Sequence, residues 1–411
     1  MKLTSHSKKL MNFLIKQNCI NNIELSKSTK GIMKNIYTSI ENADNYIQMI
    51  KNTPNFYIFS SEKINNVNEI PKPKLFNSES FPLEIRNHID LYSNYYSSYT
   101  FSLFDRNINI IFIEEKPSAN KKYQEYIEKI LTWFWIVNKY ASKKCSKNIT
   151  IYIYLTSLKK ELPESYIHIL NENNINTAFT YTCLLESEIV VYRQEEWFKV
   201  FIHETFHNFA LDFSDMDVNK SHKHINKIFP VESDINLFES YTEFWAEIMN
   251  SAFCSYFILK NKKNFNEFLS NFNFLINFER TYGFFQMVKV LKFIGLTYNH
   301  LYSNSKESVI LRKTLYKEKT NVLSYYVIRV ILINNYQGFL QWCNKNNSNL
   351  IQFKKTNANL DSFCKFIEEN YKKKELLNEI ENMENILSNI NMKKQDKFIM
   401  NNMRMTVSEL G

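Results

Sequence analysis

Trp197-Phe198-Lys199-Val200-Phe201-Ile202-His203-Glu204-Thr205-Phe206-His207 is the most informative stretch of this 411-residue sequence. Its apolar residues recur at helical spacing and predict a helix over 194–211. His203 and His207 stand at i and i+4, one turn apart, so both imidazoles reach a single point beside the helix. Glu204 lies about 100° further round the axis, flanking that point without occupying it. Two histidines at this spacing suit a tetrahedral zinc ion, with the glutamate placed to take a proton from water. Among Trp197, Phe198, Phe201, Phe206 and Phe209, three such polar groups are costly to bury without a partner.

A third metal ligand must come from elsewhere. In the longer histidine pattern a glycine and a third histidine follow, but here Ala210 and Phe213 stand in those places. Further on, Glu239-Ser240-Tyr241-Thr242-Glu243-Phe244-Trp245-Ala246-Glu247 reads as a second helix. Its glutamates are spaced i, i+4, i+8 and share one face, where like charges destabilise a bare helix. A dication or an imidazole N–H nearby would relieve that repulsion. An ordinary amphipathic helix is the alternative reading of the same residues.

Outward from these two motifs, the sequence predicts an α+β fold. A small mixed sheet carries the active-site helix, and a mainly helical C-terminal half follows. Helices are expected near 5–18 and 30–51, then a short apolar run from Phe56 to Phe59 and a linker at Lys72-Pro73-Lys74. Tyr99 to Phe104 and Ile108 to Ile113 suggest a hairpin turning around Asp105-Arg106-Asn107. A helix is expected from 120 to 141, with strands at Thr150 to Leu155, Thr177 to Thr182 and Glu188 to Tyr192. Helices follow at 237–260, 262–275, 280–294, 304–316, 319–335 and 359–391. The expected segments are an N-terminal helical region over 1–75, a catalytic core over 76–260 and a helical region over 261–411.

Composition bounds the function. Hydrophobic residues at 44% and aromatics at 15% fit a folded globular chain. Lysine and arginine number 51 against 42 acidic residues, but they are dispersed and match no nucleic-acid-binding spacing. They read as a solvated basic surface, and nucleic acid is not an expected partner. No run of about 18 apolar residues predicts a membrane span. The first twenty residues lack the apolar core of a secretory signal. Cys19, Cys145, Cys183, Cys254, Cys343 and Cys364 form no Cys-x-x-Cys pair and read as reduced, mostly buried thiols. The expected location is the cytoplasm or a virion.

With both motifs in view, residues 176–250 resemble the gluzincin group of zinc metallopeptidases. The Glu-Phe-Trp-Ala-Glu segment is similar to the corresponding helix of anthrax lethal factor-like peptidases. That resemblance implies a zincin-like core with Zn2+ on His203, His207 and Glu243, with Glu239 the other choice for third ligand. It implies Glu204 as general base and Glu247 as a carboxylate supporting a ligand histidine. It also sets Thr177-Ala178-Phe179-Thr180 where such enzymes lay an extended peptide substrate. Tyr282 and Arg404 are candidates for stabilising an oxyanion, whereas His222 and His224 read as surface residues. The compositional bias and the lead-in Arg193-Gln194-Glu195-Glu196-Trp197 resemble a peptidase-like protein of a large DNA virus. The competing expectations are a catalytically inactive zincin fold serving as a structural or interaction protein, and a basic nucleic-acid-associated protein. The intact Glu204 argues against the former.

Overall fold

The structure is a computed structural model that describes residues 2–117, 120–390 and 396–411. Its first elements are α1 (Ser5–Lys16), α2 (Lys27–Ile50), β1 (Ile58–Lys63), α3 (Leu83–Tyr92), β2 (Tyr95–Leu103), β3 (Arg106–Glu114) and α4 (Asn120–Val137). Next come β4 (Asn148–Leu155), α5 (Glu172–Ile175), β5 (Ala178–Thr180), β6 (Glu186–Val191) and α6 (Trp197–Asn208). The rest is helical: α7 (Asn219–Ile228), α8 (Leu237–Ile258), α9 (Phe265–Ile294), α10 (Tyr298–Tyr302) and α11 (Lys306–Leu315). A π-helical turn (Leu323–Ile328) runs into α12 (Arg329–Asn334), before α13 (Tyr336–Asn346), α14 (Asn357–Asn370), α15 (Lys374–Asn389) and α16 (Lys397–Asn401). The chain is therefore a mixed α and β protein with, among the described residues, one open sheet, as the α+β reading expects. It forms two compact units, one of residues 34–159 with 176–215, the other of 1–33, 160–175 and 216–411.

The first unit is built on a six-stranded sheet of order β1-β2-β3-β4-β6-β5. β3, β4 and β6 run parallel, and the outer pairs are antiparallel. The central strands Asn-Ile-Asn-Ile-Ile-Phe-Ile of β3 and Ile-Thr-Ile-Tyr-Ile-Tyr-Leu of β4 are apolar on both faces because both faces are covered. Ile111, Ile113, Tyr152, Tyr154, Val190 and Tyr192 point to one face, packing with Phe81 and with Ile85 and Ile89 of α3. Phe112 points the other way and stacks on Tyr123 of α4 at 4.6 Å. The β2–β3 hairpin turns at Phe104-Asp105, earlier and tighter than the expected Asp105-Arg106-Asn107. Phe104 and Asp105 take φ of 60° and 58°, and Leu103 pairs with Arg106. Two positive-φ residues are what a tight two-residue hairpin requires, here without glycine.

The second unit is helical, with α8 and α9 at its core. Both are buried on nearly every side, so neither shows a clean amphipathic stripe. The helices expected at 262–275 and 280–294 are one continuous helix, α9, stopped by Gly295 at φ 86°. The expected helix 359–391 is instead two, α14 and α15, and position 391 lies outside the described residues. The helices α3, α5, α7, α10, α13 and α16 are additions to the expected set. Among the described residues, no helix is long and apolar enough to cross a membrane.

The reading of all six cysteines as reduced thiols is corrected. Cys145 and Cys183 form a disulfide across a separation of 38 residues, while Cys19, Cys254, Cys343 and Cys364 are buried and not disulfide-bonded. Sequence spacing could not pair them, because the sheet brings together the loops before β4 and β6.

Candidate metal centre

Aromatic packing fixes α6 in the first unit. Trp197 sits 4.4 Å from the Tyr126 ring and Phe201 5.5 Å from Phe134, both on α4. Trp133 Nε1 donates to Thr205 Oγ1 at 2.6 Å, which pins the middle of the His-Glu-Thr-Phe-His motif. With Phe201 and Thr205 facing α4, His203 and His207 occupy another face of the helix. His203 and Glu204 are buried, and His207 nearly so.

The two histidines converge. Their Nε2 atoms are 3.1 Å apart, with ring planes at 75°. Two nitrogens bound to one tetrahedral zinc at ~2.0–2.1 Å would lie roughly 3.3 Å apart, so the pair already has the separation a shared ion needs. His207 is oriented from behind, because its Nδ1 hydrogen bonds Asp212 Oδ2. With the proton on Nδ1, the neutral ring presents the Nε2 lone pair. Asp212 is wholly buried, and its other oxygen accepts from the backbone and hydroxyl of Ser214 at 3.2 and 2.9 Å.

How Asp212 comes back to His207 follows from how α6 ends. Leu211 N–H donates to Phe206 O at 2.8 Å and Ala210 N–H to His207 O at 2.9 Å, closing the helix in a Schellman-type turn. Ala210 sits at φ 52°, in the position where glycine is usual. The turn reverses the chain within two residues. Asp212 was missed in the sequence because nothing in helical periodicity extends past this stop.

In the second unit, α8 carries the three glutamates. Glu239 accepts a hydrogen bond from Tyr325 Oη at 2.8 Å, and Tyr325 lies in the π-helical turn. Glu247 takes Arg329 Nη1 on both carboxylate oxygens at 3.1 Å, and both residues are fully buried. Burial lowers the Arg329 pKa, but Glu247, Glu243 and Glu279 outweigh it and hold the guanidinium above its ordinary value. An arginine thus answers the repulsion that the sequence showed along this face. Gly283 of α9 makes the space: a Cβ there would lie 2.9 Å from Arg329 Nη1.

His203, His207 and Glu239 each offer one ligand atom and form a group that could hold a metal ion. The other expected residues have these surroundings. Tyr282 Oη donates to Asn402 Oδ1 at 2.6 Å, and Tyr241 Oη donates to Ile351 O at 3.0 Å, both in the buried core. Arg404 is buried and bonds Glu409 at 3.0 Å. His222 and His224 lie on α7, bonded to Ser233 O at 3.1 Å and to Glu368 at 3.0 Å. Tyr325, like Asp212, was not singled out in the sequence, where one tyrosine among 25 carries no signal.

No family model matches the chain, and no solved structure matches it. An uncharacterized protein of Acanthamoeba polyphaga mimivirus is 28% identical over 186 residues. That similarity spans 44% of this chain and 44% of the mimivirus protein.

Proposed function

We propose that this protein is a zinc-dependent peptidase of zincin type, and that His203, His207 and Glu239 hold the metal. The observation that carries the reading is the convergence of two imidazole nitrogens at 3.1 Å, one ring oriented by Asp212. Two neutral imidazoles and a carboxylate are the donor set of a hydrolytic zinc site. Glu239 is favoured over Glu243 because it completes that donor group and its carboxylate is oriented by Tyr325. Glu243 is 1% exposed and lies within the field of Arg329, where its charge is already answered.

When bound, zinc supplies Lewis acidity to a peptide carbonyl and to water. The protein's own part is to place a base and a substrate. Glu204, next to His203 on α6, takes the proton of the attacking water and passes it to the leaving amine. β5 lies at the sheet edge, antiparallel to β6, and among the described residues no strand pairs with its outer side. An extended peptide adding to that edge would be held by its backbone, whatever its side chains.

Metal content of purified protein by mass spectrometry tests the site. Wild type should carry a single zinc per chain, His203→Ala and Glu239→Gln should lose it, and Glu243→Gln should keep it. Glu204→Gln should retain zinc while peptide hydrolysis falls by about 10²–10⁴-fold. Wild-type hydrolysis rates in the Glu204→Gln variant, or a folded wild type that takes up no zinc, would overturn the proposal.

A further inference from the structure

We propose that the Cys145–Cys183 disulfide is a redox-sensitive clamp on the metal-binding end of α6, so that its reduction loosens the grip on zinc. The inference rests on the zinc reading above, and its structural half can be tested apart from it.

The clamp is built around Asn208, the residue after His207 and the last of α6. Asn208 is fully buried, and each of its polar groups is used. Its carbonyl accepts from Cys183 N–H at 3.0 Å. Its side-chain amide donates to Thr180 Oγ1 at 2.9 Å and to Tyr181 O at 3.4 Å. Its side-chain oxygen accepts from Ser146 Oγ, and Ser187 Oγ bonds Ser146 Oγ at 2.8 Å. Ser146 N–H in turn donates to Leu184 O at 2.6 Å. The two residues that flank this network from the loops, Cys145 and Cys183, are the two that are covalently joined.

Every partner of Asn208 is therefore on β5, on β6, in the loop between them, or in the Cys145 loop. The disulfide is the covalent tie between those two loops. Ser146 and Cys183 hold left-handed backbone, at φ 54° and 53°. Non-glycine residues keep that conformation only when their surroundings impose it. Cutting the bond lets the loop between β5 and β6 relax. Asn208 then loses its partners, and the turn that carries His207 and Asp212 is released. The same loop ends β5, the edge proposed to receive substrate.

The chemistry is accessible at one end. Cys183 is exposed and Cys145 is buried. A dithiol reductant attacks Cys183 Sγ as thiolate, breaking the S–S bond and expelling the Cys145 sulfur, which takes up a proton. The second thiol of the reductant then displaces Cys183 and leaves the reductant oxidised as its own disulfide. Three other thiols, Cys19, Cys343 and Cys364, stand apart from this exchange because burial raises their pKa. Burial pushes Cys19 up to about 11 and Cys364 up to about 12, so they carry little thiolate at neutral pH.

Protein purified without reductant, alkylated under denaturing conditions and weighed, should show four reactive thiols, matching the four cysteines outside the disulfide. Treatment with a dithiol should then raise amide exchange at residues 205–212 and weaken zinc retention against a chelator by about tenfold or more. Cys145→Ser with Cys183→Ser should match reduced wild type in both readouts and be indifferent to the dithiol. Six reactive thiols before reduction, or exchange at 205–212 unchanged by it, would overturn the clamp. Zinc absent from both redox forms, with the exchange contrast present, would instead sink the metal reading and leave the clamp standing.

Discussion

At the scale of single residues, the proposed site works only if imidazole lone pairs are aimed before an ion arrives. Asp212 does this for His207, accepting the hydrogen bond of Nδ1–H and fixing the ring. Asp212→Ala should weaken zinc binding by about 10–100-fold, and Asp212→Asn, which keeps an acceptor oxygen, should lose less. Chelator competition on the purified variants measures both, and an affinity unchanged in Asp212→Ala would remove Asp212 from the site. This residue also shows the limit of reading along the chain. The i, i+4 histidines are legible because a helix is periodic and spacing translates directly into direction. Asp212 depends on a reversal at Ala210, where φ is 52°, and alanine does not announce that conformation as glycine would. The disulfide was illegible for a related reason. Its cysteines sit in loops brought together by the parallel pairing of β4 and β6, and 38 residues of separation carry no direction.

At the scale of elements, α8 raises the question of how one helix face keeps three carboxylates. The spacing of Glu239, Glu243 and Glu247 is visible in the sequence, but what answers the charge of Glu247 and Glu243 is not, since Arg329 arrives from α12 through a gap left by Gly283. A buried ion pair adds little net stability, yet removing one partner leaves an uncompensated charge. Arg329→Met should therefore destabilise the helical unit by about 3–5 kcal/mol. Adding Glu247→Leu to it should recover much of that loss, because the orphaned carboxylate disappears as well. Urea unfolding of the single and double variants decides it, and an Arg329→Met protein as stable as wild type would mean that Glu247 is protonated or otherwise held. Elements whose apolar pattern matches their burial, such as β3, β4 and α6, were legible. The sequence pattern of α9 breaks in two because polar residues interrupt it. Asn277 is one, and it is buried, accepting from Ile23 N–H at 3.0 Å. A polar group satisfied by a distant segment looks like a helix break from the sequence alone.

At the scale of the whole chain, long-range ties of this kind hold residues 402–410 within the helical unit, and one of them should make its stability depend on pH. Leu3 bridges to Leu410, and Gln286 donates to Arg404 O at 2.7 Å. Glu279, wholly buried on α9, accepts from Thr406 Oγ1, Val407 N–H and Ser408 N–H at 2.7, 3.0 and 2.8 Å. Burial pushes its carboxyl above the ordinary 4.5, outweighing the hydrogen bonds that favour the ionised form. The folded state thus holds a proton that the unfolded chain releases at lower pH. Stability from this group is full below about 4.5 and is lost as pH rises through the folded pKa. Glu279→Gln cannot ionise, so the stability of wild type relative to this variant should fall with rising pH across that window. The slope cannot exceed about 1.4 kcal/mol per pH unit, the limit for a single proton. Urea unfolding of both proteins from pH 4 upward measures it. A constant difference between them would mean that Glu279 keeps its ordinary pKa, its three hydrogen bonds then balancing the cost of burying its charge.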